Sequence, residues 1–234
     1  MANDYFRFKQ FEVWHDRCAM KVGTDGVLLG CLARGERAKK GLDVGTGTGL
    51  ISLMLAQRFP ELKMEAIDID GEAVKQAREN VEKSPFRERI VVDKEDFTYL
   101  DYKNKKYDLI VSNPPFYEEK TKCANEQRNA SRHTESLPFE TLIENASKML
   151  NNDGVFAVII PYVCAADFIL NCSLNKLYLF DRTNIKTTER KVAKRVVLQF
   201  SKEMRETAVE TLLLNGDGGE RSKEYSELTK DFYL

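Results

Sequence analysis

Histidine and paired cysteine are scarce in this chain. It has two histidines, His15 and His133, and five cysteines, Cys18, Cys31, Cys123, Cys164 and Cys172. No two cysteines form a C-x-x-C pair, which argues against a zinc site, and no metal is expected. The odd, scattered count reads as reduced thiols in a cytosol. Lone histidines are more often structural or solvent-facing, so neither is given chemistry. No run is apolar enough to span a bilayer, and the polar N-terminus lacks the apolar region of a secretory signal. The expectation is a cytoplasmic protein with no membrane partner. Internal repeats and low-complexity tracts are also absent. The net charge of −1 argues against a protein held to polyanions by bulk charge. It does not exclude nucleic acid, because local patches matter more than totals.

What remains is ordinary in bulk and specific in order. A length of 234 residues suits one large domain, or one domain with a small extension, and 42% hydrophobic residues allow a full core. From about residue 41 to about residue 200, strands and helices alternate. Strands are expected at 41–44, 64–67, 90–92, 107–111, 155–160 and 196–200. A helix at 50–59 is stopped by Pro60, and Ala73, Val74, Ala77 and Val81 mark another, ended by Ser84-Pro85. Phe139, Leu142, Ile143, Ala146, Met149 and Leu150 keep a 3.6 period, with Ser136 as N-cap and Asn152-Asp153-Gly154 as the stop. This alternation with buried strands predicts an α/β fold: a mainly parallel sheet covered by helices on both faces. Residues 1–40 are read as an N-terminal cap contributing to the cofactor and substrate site, and residues 41–234 as the main domain. The polar stretch 117–136 has no periodicity and is long enough to be functional or disordered.

Two short motifs follow directly after strands, at the carboxyl ends where such sheets bind ligands. The first is Leu42-Asp43-Val44-Gly45-Thr46-Gly47-Thr48-Gly49. Its glycines supply positive φ and let a ligand touch the backbone. A dinucleotide fingerprint would read G-x-G-x-x-G, but here the third glycine comes one residue early. The turn therefore resembles that of a Rossmann-like methyltransferase, whose S-adenosylmethionine has no pyrophosphate to seat. Asp68, at the end of the next strand, is assigned to the ribose hydroxyls, and Asp70 to capping the helix that follows. Asp96 is read as an acceptor for the adenine amine, with Phe97 near the ring. Lys21, and Thr24 as a cap, would bring a helix N-terminus to the methionine carboxylate.

The second motif, Asn113-Pro114-Pro115-Phe116, resembles the amine-binding tetrad of enzymes that methylate an exocyclic or amide nitrogen. An exocyclic adenine amine is a poor nucleophile because its lone pair is conjugated with the ring. Acceptors that hold the NH2 draw it towards sp3 geometry as the new C–N bond forms. The Asn113 side-chain oxygen and the Pro114 backbone oxygen are such acceptors. Successive prolines keep the segment extended and remove competing donors. Phe116 offers a face for a planar base, worth roughly 1–3 kcal/mol. No strong general base is needed, because positioning and electrostatics carry the transfer.

At these residues the chain resembles the bacterial valine-tRNA anticodon-loop adenine-N6 methyltransferases. The likeness runs through Phe8-Lys9-Gln10-Phe11, Met20 to Gly30, both motifs, Lys194 to Phe200 and the terminal Asp231-Phe232-Tyr233-Leu234. It implies methylation of adenosine 37 beside the anticodon. By motif, Lys21, Gly45, Asp68 and Asp96 would serve the cofactor, and Asn113 and Phe116 the base. Substrate RNA needs basic surface, and three clusters offer it: Arg7 and Lys9; Lys120, Lys122, Arg128 and Arg132; and Lys186, Arg190, Lys191, Lys194 and Arg195 after Arg182. Each cluster taken singly is equally a solvated face. A protein glutamine amide is a planar NH2 as well, so a glutamine N5-methyltransferase is the rival reading. A guanine-N2 rRNA methyltransferase is the nearer neighbour, and a non-catalytic module with this fold is the third alternative.

Overall fold

The computed structural model describes residues 4–17, 21–99, 105–115, 137–216 and 218–234. It opens with an antiparallel hairpin, β1 (Tyr5–Arg7) and β2 (Glu12–Trp14), and a helix, α1 (Thr24–Leu32). Alternation follows: β3 (Lys40–Val44), α2 (Leu50–Arg58), β4 (Lys63–Asp68), α3 (Gly71–Glu82), β5 (Ile90–Lys94) and β6 (Tyr107–Ser112). The second half holds α4 (Phe139–Met149), β7 (Leu150–Pro161), α5 (Ala165–Leu174), β8 (Tyr178–Lys186), β9 (Arg195–Ser201), β10 (Ala208–Leu213) and α6 (Lys223–Thr229).

Eight strands form one sheet in the order β10-β8-β9-β7-β6-β3-β4-β5. β3 to β7 run parallel, and β9 is antiparallel to both its neighbours, β7 and β8. The chain winds outward from β3 to β5 on one side and from β6 to β7 on the other. The order therefore reverses between β3 and β6, the switch point where open sheets of this kind bind ligands.

Both faces are covered, as buried strands require. Leu42, Val44, Ile110, Phe156, Val158 and Phe200 pack on one side with α4 and α5. Leu109, Val111, Ala157, Ile159 and Val197 pack on the other with α1 and α2. Helix α2 is buried from Leu50 to Ala56, and α3 turns Ala73, Val74, Ala77 and Val81 inward. Each fully buried leucine contributes roughly 1.5–3 kcal/mol relative to exposure.

The N-terminal segment packs into the main domain: Phe8, Phe11 and Val13 share the core of α1 and α2. It is pinned by the C-terminus, where the Lys9 backbone N–H donates to the Phe232 carbonyl and the Phe8 ring stacks on Tyr233. Asn152-Asp153-Gly154 does not end a helix. It lies inside β7 as an irregularity, between Leu150 paired with Tyr107 and Val155 paired with Leu109. Helix α4 has Pro138 at its N-cap, and Ser136 lies outside the described residues. α5, β8, β10 and α6 carried too little periodicity to be read beforehand.

Candidate active site

The two motifs meet at the switch point. Val44, the last residue of β3, pairs with Ser112, the last of β6. The Ser112 hydroxyl donates to the Val44 carbonyl at 2.9 Å, so the strand ends are tied just before each motif begins. Nothing in the sequence pattern singled out Ser112 for this.

Beyond β3 the chain turns through Gly45 (φ 72°), Gly47 (φ 56°) and Gly49 (φ 82°). These are left-handed conformations that cost other residues strain. A Cβ placed on Gly45 or Gly47 would meet nothing within 4 Å, so open space lies above the turn. At Gly49 it would lie 3.4 Å from the Ala77 Cβ, a close approach to α3.

Asp43 sits beneath the turn with 0% exposure. Its Oδ2 accepts from the Thr46 hydroxyl at 2.7 Å and the Ser52 hydroxyl at 2.8 Å, tying turn to helix. Its Oδ1 is buried without a hydrogen-bond partner. Burial pushes its carboxyl up to about 6, against the opposing pull of the two hydroxyls. Asp68 accepts from the Gly47 backbone N–H at 2.9 Å and from the Asp70 N–H at 3.0 Å. Burial raises its carboxyl too, and those backbone donors oppose the rise. Asp70 is the N-cap of α3, accepting from the Glu72 N–H at 2.9 Å.

At the end of β6, Asn113 is half-buried and Pro114 buried. The Asn113 Oδ1 is a buried acceptor with no protein donor. An unmatched buried acceptor is costly in a native fold and calls for an explanation. Phe116 lies outside the described residues.

The other predicted residues fall into place unevenly. Asp96 is half-buried, and its Oδ1 accepts from the Thr98 N–H at 2.8 Å, a local turn. Phe97 is only 4% exposed and packs in the core with Ile67 and Leu142, so its ring supports the loop from below. Lys21 is exposed just ahead of α1. The cap of α1 is Gly23, with no side-chain hydrogen bond, and Thr24 is already helical. The N-terminal N–H groups of α1 are thus left without the side-chain acceptor expected of Thr24.

Of the described residues expected to meet RNA, several are engaged within the chain, among them Lys186, whose ammonium donates to the Glu189 carbonyl. Arg7 pairs with Glu12 at 2.6 Å. The Lys9 ammonium donates to the Lys230 carbonyl at 2.5 Å. Arg195 pairs with Asp25 in the first turn of α1 at 2.8 Å, which removes it from the exposed basic patch. Lys191 is exposed on the β8–β9 loop, and Arg132 lies outside the described residues with its whole cluster. Among the described residues no group of acids, cysteines and histidines is placed to hold a metal. Nor is any described helix long and apolar enough to cross a membrane.

This arrangement has known relatives. Residues 19–186 match the family model "Methyltransferase small domain". Across all of this chain and 99% of its own length, a protein of Phocaeicola vulgatus is 46% identical; its name is tRNA1(Val) (adenine(37)-N6)-methyltransferase. A protein of the same name from Photorhabdus laumondii is 40% identical, over 100% of this chain and 97% of that one. Among solved structures, a predicted O-methyltransferase of Agrobacterium tumefaciens superposes with a TM-score of 0.71. It covers 89% of this chain and 96% of that one at 19% identity, a likeness of fold. With the glycine turn and Asn113 brought together at the switch point, the chain belongs to the small-domain methyltransferases and, within them, to the tRNA1(Val) adenine-37-N6 methyltransferase family.

Proposed function

We propose that this chain transfers a methyl group from S-adenosylmethionine to the exocyclic N6 of an adenosine in RNA, namely adenosine 37 of tRNA1(Val). The observation that carries the reading is the Asn113 side-chain oxygen. It is a buried acceptor without a donor, at the end of β6 and next to the glycine turn. A substrate NH2 supplies the missing donor. The names of the full-length relatives supply the nucleotide.

The residues present suit S-adenosylmethionine. Open space over Gly45 and Gly47 leaves room for an adenosyl group against the backbone. Asp68 has carboxylate lone pairs beyond those used by Gly47 and Asp70, and these accept the ribose hydroxyls. Asp96 accepts the adenine amine, and Phe97 acts by holding that loop. Lys21 and the first turn of α1 favour the methionine carboxylate, which brings residues 1–40 to the site. Asp43, with Oδ1 unmatched, places negative charge under a cofactor that carries positive charge. When bound, S-adenosylmethionine supplies a methyl group already activated by its sulfonium.

The chain's own part is to hold the acceptor amine. The Asn113 Oδ1 and the Pro114 carbonyl each accept from the NH2 group, localising the nitrogen lone pair towards the methyl carbon. The nitrogen becomes more acidic as the bond forms, so its proton leaves to solvent and no side-chain base is required. Phe116 stacks on the base. Lys191 and Arg132 contact phosphates, and a tRNA substrate places the work in the cytoplasm.

The test is incubation with labelled S-adenosylmethionine and, separately, total tRNA, total rRNA and release factors, followed by digestion. The expected product is N6-methyladenosine in tRNA. Label in a protein glutamine or in rRNA guanosine would replace this reading. Asn113→Ala should abolish turnover and leave cofactor affinity by calorimetry nearly unchanged, because the asparagine serves the amine. Collapse of both together would remove it from that role.

A further inference from the structure

Strand β9 carries two polar side chains that reach the same helix from one face of the sheet. Arg195, its first residue, donates from Nε to the Asp25 Oδ2 at 2.8 Å, in the first turn of α1. Four residues on, Gln199 is 1% exposed and holds the other end of that helix. Its Oε1 accepts from the Arg34 N–H at 2.8 Å and its Nε2 donates to the Leu32 carbonyl at 3.2 Å. The lengths agree. Four strand residues span roughly 13 Å, and Asp25 to Leu32 rises roughly 10 Å along a helix. Helix α1 therefore lies along β9 and is fastened at both ends.

The helix is fixed sideways as well. A Cβ on Gly26 would approach the Leu50 Cδ2 to 3.1 Å, and one on Gly30 would approach the Met54 Sδ to 2.7 Å. The glycines let α1 lie directly on α2, the helix that the glycine turn feeds. Because β9 is antiparallel, its start lies at the carboxyl edge of the parallel strands: Arg195 pairs with Pro161 at the end of β7. Arg195, Val197 and Gln199 share one face of β9, and Val197 packs with α1 and α2. The Arg195–Asp25 pair thus stands at the ligand end of the sheet, and its side chains are 22% and 27% exposed.

The charge at this place matters. Asp25 lies in the first turn of a helix whose N-terminal N–H groups lack a side-chain cap. A carboxylate there suits the helix dipole but competes with any incoming anion. Arg195 neutralises Asp25 and fixes the turn that bears it. We propose that Arg195 is a positioning residue: through Asp25 it orients the start of α1 and frees that helix terminus for the carboxylate end of S-adenosylmethionine. This rests on the cofactor reading above. Gln199 fastens the far end of α1 and takes no part in that charge balance.

The test compares two uncharged-sulfur probes by calorimetry. S-adenosylhomocysteine has the amino-acid end, and 5′-methylthioadenosine lacks it. Arg195→Gln should weaken S-adenosylhomocysteine about tenfold or more while changing 5′-methylthioadenosine less than about twofold, as a local loss at a charged contact would. Adding Asp25→Asn should recover part of that loss, because the unbalanced carboxylate is gone. Hydrogen exchange on the ligand-free protein should quicken in the first turn of α1 in Arg195→Gln, and at 32–34 in Gln199→Leu. Equal loss for both probes, no loss for either, or no recovery in the double variant would overturn the assignment. Wild-type protein that binds neither probe would sink the cofactor reading itself, and this inference with it.

Discussion

Replacing Asp43 with asparagine removes a charge that the fold buries beneath the glycine turn. The side chain is 0% exposed and its carboxyl is pushed by burial up to about 6, against the ordinary 3.8 of an aspartate. The difference of about two units corresponds to about 3 kcal/mol by which the charged form disfavours the native state. The native protein holds the Asp43 proton up to about pH 6, while the unfolded chain releases it near pH 4. Between those values the native state binds more protons, so wild-type stability falls as pH rises, and the cost is complete above about pH 6. Roughly half of it, on the order of 1–2 kcal/mol, falls between pH 5 and pH 8. Asparagine keeps an oxygen for the Thr46 and Ser52 hydroxyls. It leaves an unmatched NH2 where an unmatched Oδ1 stood, so that part of the balance changes little. Urea unfolding of ligand-free protein, followed by the fluorescence of the sole tryptophan, Trp14, measures this. The stability of Asp43→Asn minus that of wild type should grow by on the order of 1–2 kcal/mol from pH 5 to pH 8. Parallel stability curves would refute the buried-charge argument. The same variant should bind S-adenosylmethionine more weakly, a function gained at a cost in stability.

Other expectations are independent of that titration. Asp68→Ala should weaken S-adenosylmethionine binding by on the order of 1–3 kcal/mol, since it removes charged hydrogen bonds and the Gly47 acceptor. Asp70→Ala should instead lower stability by about 1 kcal/mol, as loss of a cap does; calorimetry and denaturation together would expose an exchange of roles. Gly47→Ala places a methyl group in the open space above the turn at φ 56°, and should cost about 1–2 kcal/mol of folding stability as well as cofactor affinity. A variant with wild-type affinity would mean that the cofactor lies elsewhere. Lys191→Ala should raise the KM for tRNA and lower the salt slope of binding by about one unit, with kcat restored at saturating RNA. An unchanged slope would remove Lys191 from the RNA footprint.

The parts of this protein visible in its sequence are those whose physics is local. A glycine triplet after a buried strand commits the backbone to a left-handed turn, whatever surrounds it. Asp70, just before an apolar 3.6 period, caps its helix because the N–H it serves is two residues away. Where the local rule had competition, it lost. Asn152-Asp153-Gly154 looks like a turn, but pairing on both sides draws it into β7 as an irregularity. Thr24 is a good cap by type, yet the chain enters the helix one residue earlier, at Gly23.

The sequence by itself therefore determined the alternation, the turn, the tetrad and, through them, the fold and the family. Tertiary structure alone decided what each charge faces. Arg7, Lys9 and Arg195 are identical in type to RNA-binding residues, but Glu12, the Lys230 carbonyl and Asp25 claim them. Those last two partners lie 221 and 170 positions away along the chain. Ser112 on Val44, and the unmatched oxygens of Asp43 and Asn113, arise from strand order in the same way. A backbone conformation is set by neighbours within a few residues. A hydrogen-bond partner, or the lack of one, is set by which distant segments the sheet brings alongside.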